Sequence, residues 1–413
     1  MNAPAIILRL AWRNVWRNAR RTVLTLLTIV VGCGMIILMN AIAKGGHDRM
    51  IEDAVSMGTG HIQVHEKGFW DNQTIDYAFV PPRALIDALD RNSAVGAYAM
   101  RMQAGALLSS PANTAGTLIQ GVDPVKERLV SNIHEKVLPG GRFLEEGDTA
   151  SAVLGEKLAK NLGVKVGDKV AFISQGFDGS IAAERLTVAG LFRTGTPDID
   201  RGLALMPLGF ADTAFSMMGY VHAIAVKLRE PAAMRGVIAE LERAESGTPV
   251  EVMGWDALMP VLVQFIAMDD VSAWIFDFIL LMLVAFGILN TIQMSVFERT
   301  REFGIMLSIG TRPSQVVAMV LAESAIISVM GVALGVLLGY ASSWYFFVNP
   351  IDYSGYAQEL AVWGLSTTIY PADATWLNAT VTAGFTFLFA MIFSIFPARR
   401  ASRLRPVEAI RQL

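Results

Sequence analysis

Several groups in this 413-residue sequence sit where chemistry is conceivable. His61 and His65 could share a metal ion on a helix, but the alternation of His61, Ile62, Gln63, Val64 and His65 reads as a strand. There the two rings share a face about 13 Å apart, too far for one ion, and the pair is discarded as a metal site. No Gly-Lys dipeptide occurs, so the chain has no P-loop and any nucleotide chemistry belongs to a partner. Two acids interrupt apolar runs, a pattern that ordinarily flags function. Asp277 lies about 30 Å of helix before Phe297 and reads as an outer boundary residue. Glu323 lies roughly 14 Å into the third apolar run, where it could face a bundle interior, pair with a neighbouring chain or snorkel. The densest charge is the run Glu298, Arg299, Arg301 and Glu302, followed by Phe303, Gly304, Ile305 and, further on, Gly310.

The elements carrying these residues follow from composition. The chain is 53% hydrophobic and 17% charged, with a mean hydropathy of +0.44, high for a soluble chain, so membrane segments are expected. Uncharged or nearly uncharged runs predict four transmembrane α-helices at 22–44, 271–297, 314–348 and 374–396, the last ending at Pro397. A cleaved signal around Ala41, Ile42 and Ala43 is the bland alternative to the first span, but the apolar run is longer than such signals use. Between the first two spans lies residues 45–270, of ordinary soluble composition. The single cysteine, Cys33, falls inside the first span, so this domain must be held by a core rather than by disulfides.

Arginine placement sets the orientation. Five arginines precede the first span, Arg299, Arg301 and Arg312 separate the second from the third, and the tail 397–413 is basic, whereas 349–373 holds no Lys or Arg. Both termini are therefore expected on the cytoplasmic side and the 45–270 domain outside. That domain reads as α/β, with strands near 61–65 and 185–189 and helices near 82–89 and 155–162. A core of 45–125 and 205–258 with an inserted subdomain at 126–204 is the expected division.

Three further patterns concern packing and leverage. From Pro260 no Gly or Pro appears until Gly287, so one helix over 261–297 would reach roughly 55 Å against a hydrocarbon core of about 30 Å, projecting a stalk. A break near Met268, Asp269 and Asp270 is the alternative. Gly331, Gly335 and Gly339 recur every four residues and form a smooth face for close helix packing or a dimer seam. In the amphipathic segment 1–21, Arg9, Trp12, Arg13, Trp16 and Arg17 repeat at helical spacing and would anchor it on the inner membrane surface, as a collar or a topology anchor.

The segment 298–312 resembles the connection between the second and third spans in the MacB/LolC/FtsX family of ABC transporter permeases, and the tail 397–411 resembles that family's C-terminal signature. Residues 153–168, 187–195 and 121–124 are similar to segments of the lipoprotein-releasing LolC/LolE and MacB branches. The resemblance implies a multi-pass protein of a bacterial inner membrane, with a periplasmic domain, working by mechanotransmission. It implies a cytoplasmic ABC ATPase dimer that binds ATP and Mg, a second permease copy, identical or related, contact with membrane lipid, and a periplasmic cargo or accessory protein. It implies no catalytic residue and no cofactor on this chain, and no nucleic-acid partner. Residues 298–313 would be the coupling element, through Glu298, Arg299, Arg301, Glu302, Phe303, Gly304, Ile305 and Gly310. Many MacB chains carry an ATPase domain that this sequence does not contain, which favours the free-standing arrangement. The function implied is extraction or export of a lipoprotein, lipid-like or other amphipathic cargo. An FtsX-like signalling subunit controlling a cell-wall hydrolase is the alternative, and a passive scaffold would leave 298–312 unexplained.

Overall fold

The computed structural model describes residues 3–244, 249–356 and 368–404, with side chains from residue 7 onward; Arg405, Arg411 and part of the 349–373 connection lie outside the described residues. The chain divides into a membrane unit of Met1–Asp48, Ile266–Asp352 and Ile369–Leu413, and a second unit of Arg49–Phe265 and Tyr353–Thr368.

Among the described residues of the membrane unit, four helices are long and apolar enough to cross a bilayer. The first spanning helix runs Ala19–Ala54, the second Pro260–Glu298, the third Pro313–Val348 and the fourth Trp376–Ser402. The N-terminal helix, Ala3–Val15, precedes a 3₁₀ turn at Trp16–Asn18. The second helix is continuous through Met268, Asp269 and Asp270. These residues have ordinary helix propensity and their carboxylates have exposed positions, so nothing local forces a break.

Two boundaries differ from the sequence reading. The first helix continues past Lys44, because Gly45 and Gly46 let the backbone of Pro371 and the ring of Tyr370 approach where side chains would collide, and Asp373 accepts an ion pair from Lys44. The fourth helix passes through Pro397 to Ser402. Proline forfeits one ladder bond, but Pro397, Ala398 and Ala401 are buried at the end of the bundle that holds Phe303, and hold the helical path. The core there joins Leu26, Ile29, Ile288, Ile292, Val320 and Ala390 from all four spanning helices.

The second unit is built on nine strands: β1 Ile62–Glu66, β2 Val95–Ser109, β3 Thr114–Val122, β4 Ser151–Gly155, β5 Lys169–Gln175, β6 Ile181–Phe192, β7 Leu203–Pro207, β8 Ala223–Leu228 and β9 Val250–Gly254. They run in the order β3-β7-β4-β6-β5-β2-β8-β1-β9, and β3 also pairs with β2. That extra pairing closes β2, β3, β7, β4, β6 and β5 into a ring around Met102, Leu108, Ile119, Leu154, Phe172 and Met206. The other lobe lays helices Arg83–Arg91 and Met234–Ala244 over β8, β1 and β9, sharing Leu85, Leu89, Val237 and Leu241 with Ile62, Val64 and Ile224.

The expected insertion at 126–204 falls within one lobe, but that lobe is wider and also takes in β3 and the second half of β2. The lobe boundary falls inside β2, whose first half pairs with β8 up to Arg101 and whose second half pairs with β3 and β5. A 15-residue strand serving two lobes leaves no turn or composition change to mark the junction.

Candidate functional site

Arg299 terminates the second spanning helix and opens the short helix Thr300–Ser308, which Gly310 ends in the left-handed region at φ 98°. The chain then enters the third spanning helix at Pro313, where the Gln315 side chain accepts from the Arg312 N–H at 3.0 Å. Two tight terminations within fifteen residues make this segment a compact corner, and Glu298, Arg299 and Glu302 are paired.

Arg299 donates from Nη1 to Glu323 Oε1 at 2.6 Å and from Nε to Glu302 Oε2 at 2.9 Å. Its guanidinium also stacks 5.0 Å from the centre of the Phe303 ring. Arg17 donates to the other Glu302 oxygen at 2.6 Å, and Arg21 pairs with Glu298. A single buried guanidinium thus ties the corner to the third spanning helix, while the N-terminal segment grips the same carboxylate from the other side. Burial pushes the Glu302 carboxyl up, but the hydrogen bonds from Arg299 and Arg17 outweigh it and hold the group below its usual range.

Position along the short helix divides its faces. Phe303 and Gly304 are buried, whereas Arg301 and Ile305 are exposed, and Ile309 just beyond is 77% exposed. Two isoleucines facing outward beside Arg301, on a segment whose other face is locked down, form an apolar, basic surface outside the hydrocarbon runs.

The other sequence-derived positions fall as follows. A Cβ on Gly331, Gly335 or Gly339 would stand 2.7, 2.8 or 2.8 Å from Ile29, Cys33 or Ile37 respectively, so this face is filled by the chain's own first spanning helix. Arg9, Trp12, Arg13, Trp16 and Arg17 are all exposed, while Ala11 and Val15 between them are buried. Trp16 and Arg17 lie in the 3₁₀ turn, and Trp12 meets Trp16 edge to face at 6.1 Å. Asp277 accepts from Asn40 Nδ2 at 2.9 Å. His65 lies in β1 and His61 immediately before it.

Sequence reasoning left the role of Glu323 open among three alternatives; the structure pairs it within its own chain. The available signal was the need of an acid in an apolar run for a cation; Arg299, Arg301 and Arg312 were all within reach without crossing a span, and spacing alone did not single out Arg299.

The comparisons agree with this architecture. A family model described as FtsX-like permease C-terminal matches residues 274–406, and one described as MacB-like periplasmic core domain matches residues 22–244. The lipoprotein-releasing system transmembrane protein LolC of Neisseria meningitidis serogroup B is 23% identical over 410 residues, covering 94% of each chain. The macrolide export ATP-binding/permease protein MacB of Rhodospirillum rubrum is 26% identical over 416 residues, covering 98% of this chain and 60% of that protein. The periplasmic region of MacB from Actinobacillus actinomycetemcomitans superposes with a TM-score of 0.37 at 15% identity, over 52% of this chain and 97% of that one. With more than half of its length matched by the MacB-like periplasmic core model and its last three spans by the FtsX-like one, the chain belongs to the MacB/LolC family of ABC transporter permeases.

Proposed function

We propose that this permease converts ATP hydrolysis by a partner ATPase into work on an amphipathic or lipoprotein-like cargo at the outer face of a bacterial inner membrane. Both termini and the 298–312 corner lie on the cytoplasmic side in this reading, the second unit lies in the periplasm, and two permease copies work with two ATPase subunits. ATP and Mg belong to the ATPase, and the permease supplies no catalytic group. The observation that carries the reading is the corner itself: exposed Ile305 and Ile309 on a helix whose opposite face is anchored through Arg299 to Glu302 and Glu323. A docking knob must transmit load, and a buried ion pair at its root does so with little slack. The second spanning helix, continuous over Pro260–Glu298, begins at that root and serves as the lever. Likeness to LolC over 94% of both chains supports transport over control of a cell-wall hydrolase.

Copurification tests this reading. The tagged chain is expected to bring down an ATPase, and Ile305→Asp with Ile309→Asp is expected to release it while the permease keeps its thermal unfolding temperature. Capture of no ATPase by the unaltered chain from its native membrane, or undiminished capture by the double variant, would contradict the assignment.

A further inference from the structure

At the end of the membrane unit remote from the 298–312 corner, the first, second and fourth spanning helices enclose a cavity of about 370 Å³, within the range of about 300–1,000 Å³ typical of small-ligand sites. Its wall is two-faced. Asp270, Asp277, Asn40 and Asn378 supply polar groups at one end, and Leu281, Phe385 and Phe389 supply an apolar, aromatic surface at the other. The lining holds two carboxylates and no Lys, Arg or His. Asp277 receives Asn40 Nδ2 on one oxygen at 2.9 Å, and among the described residues its other oxygen has no donor. His47 lies outside the lining, within 2.8 Å of Asp269 and 3.7 Å of Asp270. Trp274, Phe278 and Phe385 at the rim are exposed, so the cavity opens sideways, where an amphiphile in the bilayer would enter.

We propose that this cavity binds a single-chain amphiphile carrying a protonated amine, its hydrocarbon along Leu281, Phe385 and Phe389 and its ammonium on Asp277. Three features select that class. The apolar wall suits an alkyl chain; a carboxylate with a free oxygen suits an N⁺–H donor, the stronger kind of hydrogen bond; and two carboxylates without a lining cation oppose an anionic head. As an identification of cargo chemistry this rests on the permease reading, but binding itself does not.

Photolabelling of the full chain in phosphatidylcholine nanodiscs tests it, using dodecyl probes with a diazirine near the tail end and an amine, hydroxyl or phosphate head. The amine probe is expected to label Leu281, Phe385 or Phe389, and excess dodecylamine is expected to abolish that labelling. Asp277→Asn keeps an acceptor for Asn40 but removes the charge, and is expected to reduce amine-probe labelling about tenfold, the worth of one charge-assisted hydrogen bond, leaving the hydroxyl probe unchanged. Val381→Trp, which fills the cavity without altering the carboxylate, is expected to block the amine and hydroxyl probes alike. Equal labelling by the phosphate probe, unchanged amine labelling in Asp277→Asn, or undiminished labelling in Val381→Trp would each overturn the proposal. These outcomes are independent of ATPase capture: absence of an ATPase defeats the permease reading and leaves the labelling result standing.

Discussion

Taking a guanidinium and a carboxylate out of water costs several kcal/mol for each ion, recovered only when the pair is close and fully hydrogen-bonded. Arg299 and Glu323 approach to 2.6 Å with both side chains nearly inaccessible, and Arg299 also donates from Nε to Glu302. Such a pair contributes definition of geometry more than net stability. A similar economy governs His222 in the second unit. Its Nδ1 accepts the Gln103 N–H at 3.0 Å and its Nε2 donates to the Ile75 carbonyl at 3.1 Å, so both partners demand the neutral ring. Burial pushes its pKa down to about 4. The folded value lies below the unfolded one, so the stability it supports is complete above about pH 6.5 and is lost as pH falls through about 4, by up to about 3 kcal/mol. His61 and His65, also buried and shifted down, add to the same slope. Denaturant unfolding of the intact chain should therefore weaken steadily from pH 7 to 4.5, and His222→Gln should flatten that dependence while lowering stability at pH 7. An unchanged slope in the variant would show that His222 titrates normally.

Helices pack in a bilayer through close approach, since lipid offers no hydrophobic penalty for separation. The third spanning helix meets the first along Gly331, Gly335 and Gly339, and at Gly335 the obstacles to a side chain include the Val30 carbonyl, which cannot swing away. Gly335→Leu should accordingly cost about 1–3 kcal/mol, whereas Gly384→Leu on the fourth helix, with open space where a Cβ would go, should unfold close to the unaltered protein by thermal melting in detergent. Equal losses at both sites would mean that the seam is not tight. These helices were legible in the sequence because a bilayer imposes length and apolarity on each of them, and the four-residue glycine spacing marked the seam. Their ends were not legible: Gly45, Gly46 and Pro397 are helix breakers by propensity, and only contacts with Pro371, Tyr370 and the inner core reverse that preference. The lobe boundary inside β2 was hidden for a related reason, since strand pairing is non-local while alternation along the strand is continuous.

At the level of the whole molecule, the charged corner was visible as a motif, but its wiring was not, because Arg17, Glu302 and Glu323 come from segments up to about 300 residues apart in a chain whose helices antiparallel packing alone brings together. The proposed function rests on motion imposed on this corner by an ATPase reaching the second unit. Double electron–electron resonance measures it most directly. With Cys33→Ala to clear the single native cysteine and a spin label at Ile181→Cys, an exposed position on β6, the distance between the two permease copies of the proposed complex with the ATPase is recorded without nucleotide and with ADP and vanadate. The account predicts a nucleotide-dependent change in that distance, lost in Arg299→Ala and in Glu323→Ala while the ATPase stays bound. Identical distance distributions in both nucleotide states of the unaltered complex, or a full response in both variants, would contradict it.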